Sequence, residues 1–582
     1  MTAIAEMTAI AQEAVVHRTG AGSASGLPDA DPITTEVIRH GLDAAADQMR
    51  IVLRRTAFSP VIYEMTDFAA ALYDTEIRLL AQAQALPLFL GTLSFCIESA
   101  LEKVGGPEAL APGDIIFSTD GYDIGSHPQD ATIVVPGFFE GELVGYAAVK
   151  AHHMDIGAKE IYCTNTVDVF QEGVIFPSVK IYRAGERQED LYRTLLANSR
   201  MPEALDGDLN AQIAAAKTGL NAFYRIIERY GLETLRASVE RMLDHGEEYI
   251  RGVFSEIPDG RYVGHGAMDN NGVDDELVPF ELAVEVDGSD VIVDFSASPP
   301  PQRGPINCPV PTVVSASRIA IMAFAAGNQS ANEGHFRPIQ VRTKPNTMFH
   351  PISPTPIFMY GWPALQAVDV IHRALSDAMP DLIPAGNGGD LCSALWWGTD
   401  EAGNFWGDAA DHYVGVGANP SSDGGPPLMH ISCSGIRNTP IEVIEAKRPF
   451  LVERFEYAQD TGGVGTYRGG LGVDVYYRAL AECYLTLPWE RMRTPPWGLK
   501  GGGEARPNRF RLRQPDGTAR ESFKATGVYC PERSVLEFET AGGGGFGPPS
   551  GRKPEAVHVD IVEGYVSEEA ARASYPHAFG DG

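Results

Sequence analysis

The 582-residue chain lacks the familiar short signatures of nucleoside triphosphate binding and of protease or hydrolase nucleophiles. No G-x-x-x-x-G-K-[ST] is present, which excludes a P-loop for a nucleoside triphosphate. H-E-x-x-H and G-x-S-x-G are missing too, so neither a helical zinc-protease site nor a serine nucleophile elbow is expected. Seven cysteines lie scattered without a C-x-x-C pair. That spacing fits neither a disulfide framework nor a thiolate zinc cage, and it predicts reduced thiols in the cytosol. No window approaches about eighteen uninterrupted apolar residues, so no membrane span is expected. The N-terminus lacks a basic stretch followed by an apolar core, which argues against a secretory signal. Basic charge is scarce as well: 46 Lys and Arg against 77 Asp and Glu leave a net charge of −31. Such a field repels phosphate backbones and disfavours nucleic acid as a partner.

Glycine is plentiful but misleading. GGGGFG at 542–547 formally matches G-x-G-x-x-G and follows the strand-like SVLEFET. The PPSGRKP after it cannot open a helix, so the dinucleotide reading fails its own context. TGGVGTYRGGLG at 461–472 opens a strand instead. Both runs are read as tight turns or sites of close packing.

With 44% hydrophobic and 21% charged residues, the chain reads as an ordinary globular protein, too long for one core. The expected class is α+β and multidomain, with mixed antiparallel sheets, a helical hairpin and a β-rich C-terminal half. The expected divisions are a disordered tail at 1–30, a metal-site α+β domain at 31–200 and a helical hairpin at 201–258. An α+β domain at 259–384 and a glycine-rich β domain at 385–582, closed by a short helix, complete the chain. Thr34 or Thr35 is expected to cap a helix running to about Arg55. TDFAAALYDTEIRLLAQAQ reads as two short strands about a turn at 74–76, which puts Asp67 at a strand mouth. Asp67 there is a candidate ligand from outside the main cluster, and equally an ordinary strand-flanking Asp.

That cluster is the segment Ser118–Gly157, which holds Asp120, Asp123, His127, Asp130, His152, His153 and Asp155. Imidazole with carboxylate, and no thiolate, is the ligand chemistry of a catalytic divalent metal. A hydrogen-bonded polar loop fits the same residues without an ion. His127-x-x-Asp130 with His152 forms the central set, and Asp67, Asp155, His153 and Asp123 could supplement it. His152 and His153 are neighbours on a strand and face opposite ways, so only one can enter a shared site. ATIVVPGFF and ELVGYAAVKAHH read as a β-hairpin. A three-residue loop over Phe139–Gly141 puts Asp130 and His152 on one face, whereas a two-residue loop separates them.

In their order, DFAAALYD, GSHPQD, KAHHMDIG, FQEGVIFPSVKIY, NEGHFRPIQV, TGGVGTYRGGLG, PPWGLKGG and FETAGGGGFG resemble the hydantoinase B/oxoprolinase family over nearly the whole chain. The resemblance implies a hetero-oligomer with a hydantoinase A-type, ATP-binding subunit, which would account for the missing P-loop. It implies a small-molecule substrate: a cyclic amide or imide of the hydantoin, oxoproline or lactam type, opened at the expense of ATP. The family's alternative is an ATP-dependent ketone carboxylase of the acetone or acetophenone type. Carried over, the family's metal ligands fall on His127, Asp130 and His152, with Asp67 a further one; zinc, manganese or iron suits such a set. Asp67 or Asp155 is the expected catalytic base or orienting group. Glu172 in FQEG either positions substrate or serves a structural hydrogen bond. The chain departs from the family at Gly121, at Ala85 and Phe89 (both histidine in many members) and at AKEIYCTNT after KAHHMDIG. These changes imply a more apolar pocket.

Overall fold

A computed structural model describes residues 14–18, 30–325 and 330–580. Helices mix with four sheets, and nearly all strand pairs are antiparallel, as the α+β expectation requires. The chain forms two compact units. The first draws its described residues from Met1–Ile161, Thr166–Val263 and Glu281–Ala364; the second consists of Tyr162–Asn165, Gly264–Phe280 and Leu365–Gly582. This grouping differs from the five expected segments. The helical hairpin packs into the first unit, because its apolar stripe covers that unit's sheet. The excursion at 264–280 belongs to the second unit, where the Asp269 carboxylate accepts the N–H groups of Met492, Arg493 and Thr494.

The expected tail lies largely outside the described residues. Within it, β1 (Val15–Arg18) pairs antiparallel with Ile339–Thr343. Helix α1 (Pro32–Thr56) is capped by Asp31, whose carboxylate accepts the Thr34 N–H at 2.8 Å, and not by Thr34 or Thr35. Pro32 at the first helical position fixes this start, since its missing N–H costs nothing there.

The first unit is built on a seven-stranded sheet. Its strands are β2 (Phe68–Tyr73), β3 (Leu79–Gln82), β4 (Ile115–Ser118), β5 (Thr132–Phe139), β6 (Glu142–Ala151), β7 (Val179–Arg183) and β8 (Glu186–Arg187), in the order β3-β2-β6-β5-β4-β7-β8. Helices α2 (Pro202–Tyr230) and α3 (Leu232–Phe254) form the expected hairpin, broken at Gly231, which has φ 80°. Helix α2 packs on β5, β6 and α1. A Cβ at Gly219 would come within 2.4 Å of Met49 Sδ, so glycine there gives the Met49 side chain room between α1 and α2.

The β5–β6 turn differs from expectation. Phe139 pairs with Glu142, leaving a two-residue loop of Glu140 (φ 50°) and Gly141 (φ 87°), the left-handed pair of a type I′ turn. Such a loop alone would put Asp130 and His152 on opposite faces. A bulge corrects the register: Phe138 pairs with Leu143 but Gly137 with Gly145, which leaves Val144 as the extra residue. Beyond it Thr132 pairs with Lys150, and this register sets Asp130 across from His152.

In the second unit two antiparallel sheets share one core. Trp396 and Leu485 come from one sheet; Val475, Tyr477, Phe510 and Phe538 come from the other. The glycine runs knit backbone to backbone. Gly543 N–H donates to Gly470, Gly463 N–H to Gly543 and Gly545 N–H to Gly503. These amides are spent on carbonyls, so the runs are close-packing sites and not phosphate cradles. Ser567 caps the expected last helix, Glu568–Ser574, while the helix Pro554–Val562 before it was not anticipated.

A Cβ on Gly469 would lie 1.7 Å from the Gly543 carbonyl oxygen, whereas Gly425 has nothing within 4 Å. Gly469→Ala is therefore expected to lower unfolding free energy by about 3 kcal/mol. Gly425→Ala is expected to stay within about 0.5 kcal/mol of the parent. Urea titration of the two variants checks the contrast.

Candidate metal centre

Three side chains from two adjoining elements meet in the first unit. Asp130 precedes β5 in a turn closed by its own N–H on the His127 carbonyl at 3.0 Å. His152 follows β6, and its N–H donates to the Asp67 carbonyl at 3.1 Å. The Asp130 carboxylate spans both imidazoles, with Oδ2 2.9 Å from His127 Nε2 and Oδ1 2.9 Å from His152 Nδ1. One ligand atom from each residue lies within 4.8 Å of the others, and all three residues are buried. Tyr360 donates its hydroxyl to Asp130 Oδ2 at 2.7 Å. Phe358 meets the His127 ring edge-on, with centroids 5.0 Å apart.

Burial alone would push the Asp130 pKa up. The charge and hydrogen bonds of His127 and His152 outweigh it and hold the carboxyl well below its usual range. Burial lowers the His127 pKa, since charging a dry imidazole is costly. An ionised Asp130 can only accept, so both imidazoles turn an N–H toward it. Two imidazoles and one carboxylate fit a catalytic divalent ion, with room left in its coordination shell.

The other expected site residues lie around this core in different roles. Asp67 is beside it through its carbonyl, but its carboxylate is not in the group within 4.8 Å. Asp155 is anchored: Arg200 Nη2 reaches Oδ1 at 2.6 Å, Arg200 Nε reaches Oδ2 at 3.1 Å, and Gly157 N–H adds a third bond. His153 points away, as strand alternation demands, and its Nε2 lies 3.0 Å from Gln212 Oε1 on α2. Asp120 caps the turn Gly121–Ile124, and Asp123 lies 4.0 Å from Lys103 Nζ.

Glu172 is buried and accepts from Thr166 Oγ1 and the N–H groups of Ile357 and Phe358. It therefore fixes the segment that carries Phe358 and Tyr360. Burial pushes its pKa up to about 8 against the pull of those donors. Ala85 and Phe89 are buried, and the Lys150 ammonium lies 5.2 Å from the Phe89 ring centroid. Lys150 is itself fully buried and bonds to Thr92 Oγ1 and the Ile124 carbonyl. Phe358, Tyr360 and Lys150 did not emerge from the sequence. The only signal for the first two was the aromatic run IFMYGW after a proline-rich connection.

The family model for hydantoinase B/oxoprolinase matches residues 31–549. The chain belongs to that family. It is 29% identical over 563 residues to a Pseudomonas protein named as the B component of a D-/L-hydantoinase, covering 94% of this chain and 95% of the relative. The crystal structure of an ATP-dependent caprolactamase from Pseudomonas jessenii superposes with TM-score 0.87 at 28% identity, covering 94% of this chain and 96% of that one. A nucleotide-free acetone carboxylase structure gives TM-score 0.84 at 20% identity over 94% of this chain and 79% of that one, a likeness of fold alone.

A raised Glu172 pKa means that the folded state holds a proton the unfolded chain has lost. Stability is therefore expected to fall as pH rises from about 4.5 to about 8, by up to ~1.4 kcal/mol per pH unit from this group. Glu172→Gln removes that slope. Chemical denaturation of parent and variant across pH 5–8 measures the difference.

Proposed function

We propose that this chain is the metal-dependent B-type component of an ATP-dependent amidohydrolase that opens a cyclic amide or imide. The observation that carries the reading is the buried His127–Asp130–His152 set within a family whose relatives are named as components of hydantoinase and caprolactamase. A nucleotide-binding, A-type partner would activate the substrate by phosphoryl transfer, since this chain has no P-loop. Seven buried free thiols accord with a reducing, cytosolic setting.

In this reading His127, Asp130 and His152 hold a divalent ion. Once bound, that ion polarises a carbonyl oxygen or lowers the pKa of water. The protein's own groups do the rest. Burial lowers the His127 pKa, which favours the neutral imidazole that can ligate. Phe358 and Tyr360 pack against the His127 ring and shield it from bulk water. Asp67, beside His152, is the candidate to take the proton from attacking water or to complete the ligand set. Asp155 is better assigned to holding its loop through Arg200. In the net reaction two waters are consumed: one supplies the oxygen added to the ring carbonyl carbon and the proton gained by nitrogen as the C–N bond breaks, and the other balances conversion of ATP to ADP and phosphate.

Two measurements test this. Purified parent protein is expected to hold close to one divalent ion per chain by elemental analysis, and His127→Ala to lose most of it; equal content in both sinks the site. Co-expressed with its A-type partner, the protein is expected to hydrolyse ATP in step with opening of a lactam, hydantoin or oxoproline. Turnover only with a ketone and bicarbonate would assign it instead to carboxylation.

A further inference from the structure

The Asp130 carboxylate lies 2.9 Å from a ring nitrogen of each imidazole, Oδ2 from His127 Nε2 and Oδ1 from His152 Nδ1. If an ion binds through His127 Nε2 and His152 Nδ1, the nitrogens that face Asp130, both must present lone pairs and both of these hydrogen bonds to the carboxylate are given up. One side-chain donor to the carboxylate is unaffected by that exchange: the Tyr360 hydroxyl, 2.7 Å from Oδ2. Tyr360 comes from a different part of the chain from the hairpin, and it is 5% exposed. Its segment does not depend on the ion. Glu172 accepts the Ile357 and Phe358 N–H groups, Asn307 Nδ2 donates to the Pro356 carbonyl at 2.8 Å, and the Tyr122 hydroxyl donates to the Thr355 carbonyl.

We propose that Tyr360 is a positioning residue that keeps Asp130 aimed into the centre when the imidazoles turn from the carboxylate to a metal ion. This rests on the reading that His127, Asp130 and His152 form a metal site. Without the hydroxyl, an ion-bound Asp130 loses the Tyr360 hydrogen bond in a dry surrounding. The carboxylate then either swings off the ligand position or stays there with its outer oxygen lone pairs unpaired. Both outcomes weaken binding, as loss of an outer partner to a ligand commonly does by about 10–100-fold. Removing the same hydroxyl from a tyrosine with a purely structural bond should not. Tyr122 is that control, because it braces the same segment but does not touch Asp130.

The test uses the full chain, stripped with chelator and titrated with Zn²⁺ and with Mn²⁺ in competition with an indicator. Tyr360→Phe is expected to raise the dissociation constant about 10–100-fold. Tyr122→Phe should leave it within about twofold of the parent, even where it lowers the thermal midpoint of the stripped protein. The visible spectrum of Co²⁺-loaded Tyr360→Phe should also shift relative to the parent, reporting an altered carboxylate. A parent that binds and a Tyr360→Phe variant that binds equally well, with the same spectrum, overturn the proposal while leaving the metal site intact. Equal weakening by Tyr122→Phe would also overturn it, because the effect would then belong to the segment. A parent that binds no ion removes the metal reading itself.

Discussion

A carboxylate with no access to water, Asp130, sits between two buried imidazoles and beneath a tyrosine hydroxyl. A buried charge of this kind is costly unless every lone pair is engaged, so the surrounding structure has to deliver its partners accurately. The first unit does so from three directions. The turn at His127 and the strand end at His152 bring the imidazoles, and the segment held by Glu172 brings Tyr360. Each is fixed by bonds that are themselves buried.

The hairpin shows how narrow this delivery is. Strand pairing has a period of two, so one residue of slip would turn His152 away and bring His153 inward. The type I′ turn at Glu140–Gly141 gives the tightest connection but the wrong parity. The extra residue at Val144 restores it. Gly145, with φ 157°, accompanies the bulge where a Cβ would come within 2.3 Å of the Tyr73 carbonyl oxygen. A bulge about 27 Å along the strand from His152, at roughly 3.4 Å per residue, thus decides which histidine faces Asp130.

Much of this was legible in the sequence, and the misses have physical causes. His127, Asp130 and His152 were readable because unlike chemistry was crowded into forty residues and because the family motifs there are intact. The helical hairpin followed from its apolar stripe and Gly231. The turn was misjudged because a bulge inside a strand leaves little compositional trace: VGY at 144–146 reads as plain strand. Asp155 looked available, since nothing local announces that Arg200, 45 residues on, binds it. Tyr360 is 230 residues from Asp130, and no periodicity connects them. The grouping of 264–280 with the C-terminal half is hidden from sequence for a similar reason, because Asp269 reaches residues near 492 through side-chain-to-backbone bonds that pattern cannot reveal.

The glycine runs make the complementary point. Their number invites a phosphate-binding reading, yet in the second unit their amides meet carbonyls of other glycine segments. That unit supplies no nucleotide cradle from these runs, which accords with the proposal that a partner chain handles ATP. The central claim is that the buried triad of the first unit is a metal centre. The most direct measurement is a crystal structure of the metal-loaded chain with data at the metal's absorption edge. The account predicts one anomalous peak about 2.0–2.2 Å from a nitrogen of His127, a nitrogen of His152 and an oxygen of Asp130. A fully loaded protein with its peak elsewhere, and Asp130 still bonded to both imidazoles, would contradict it.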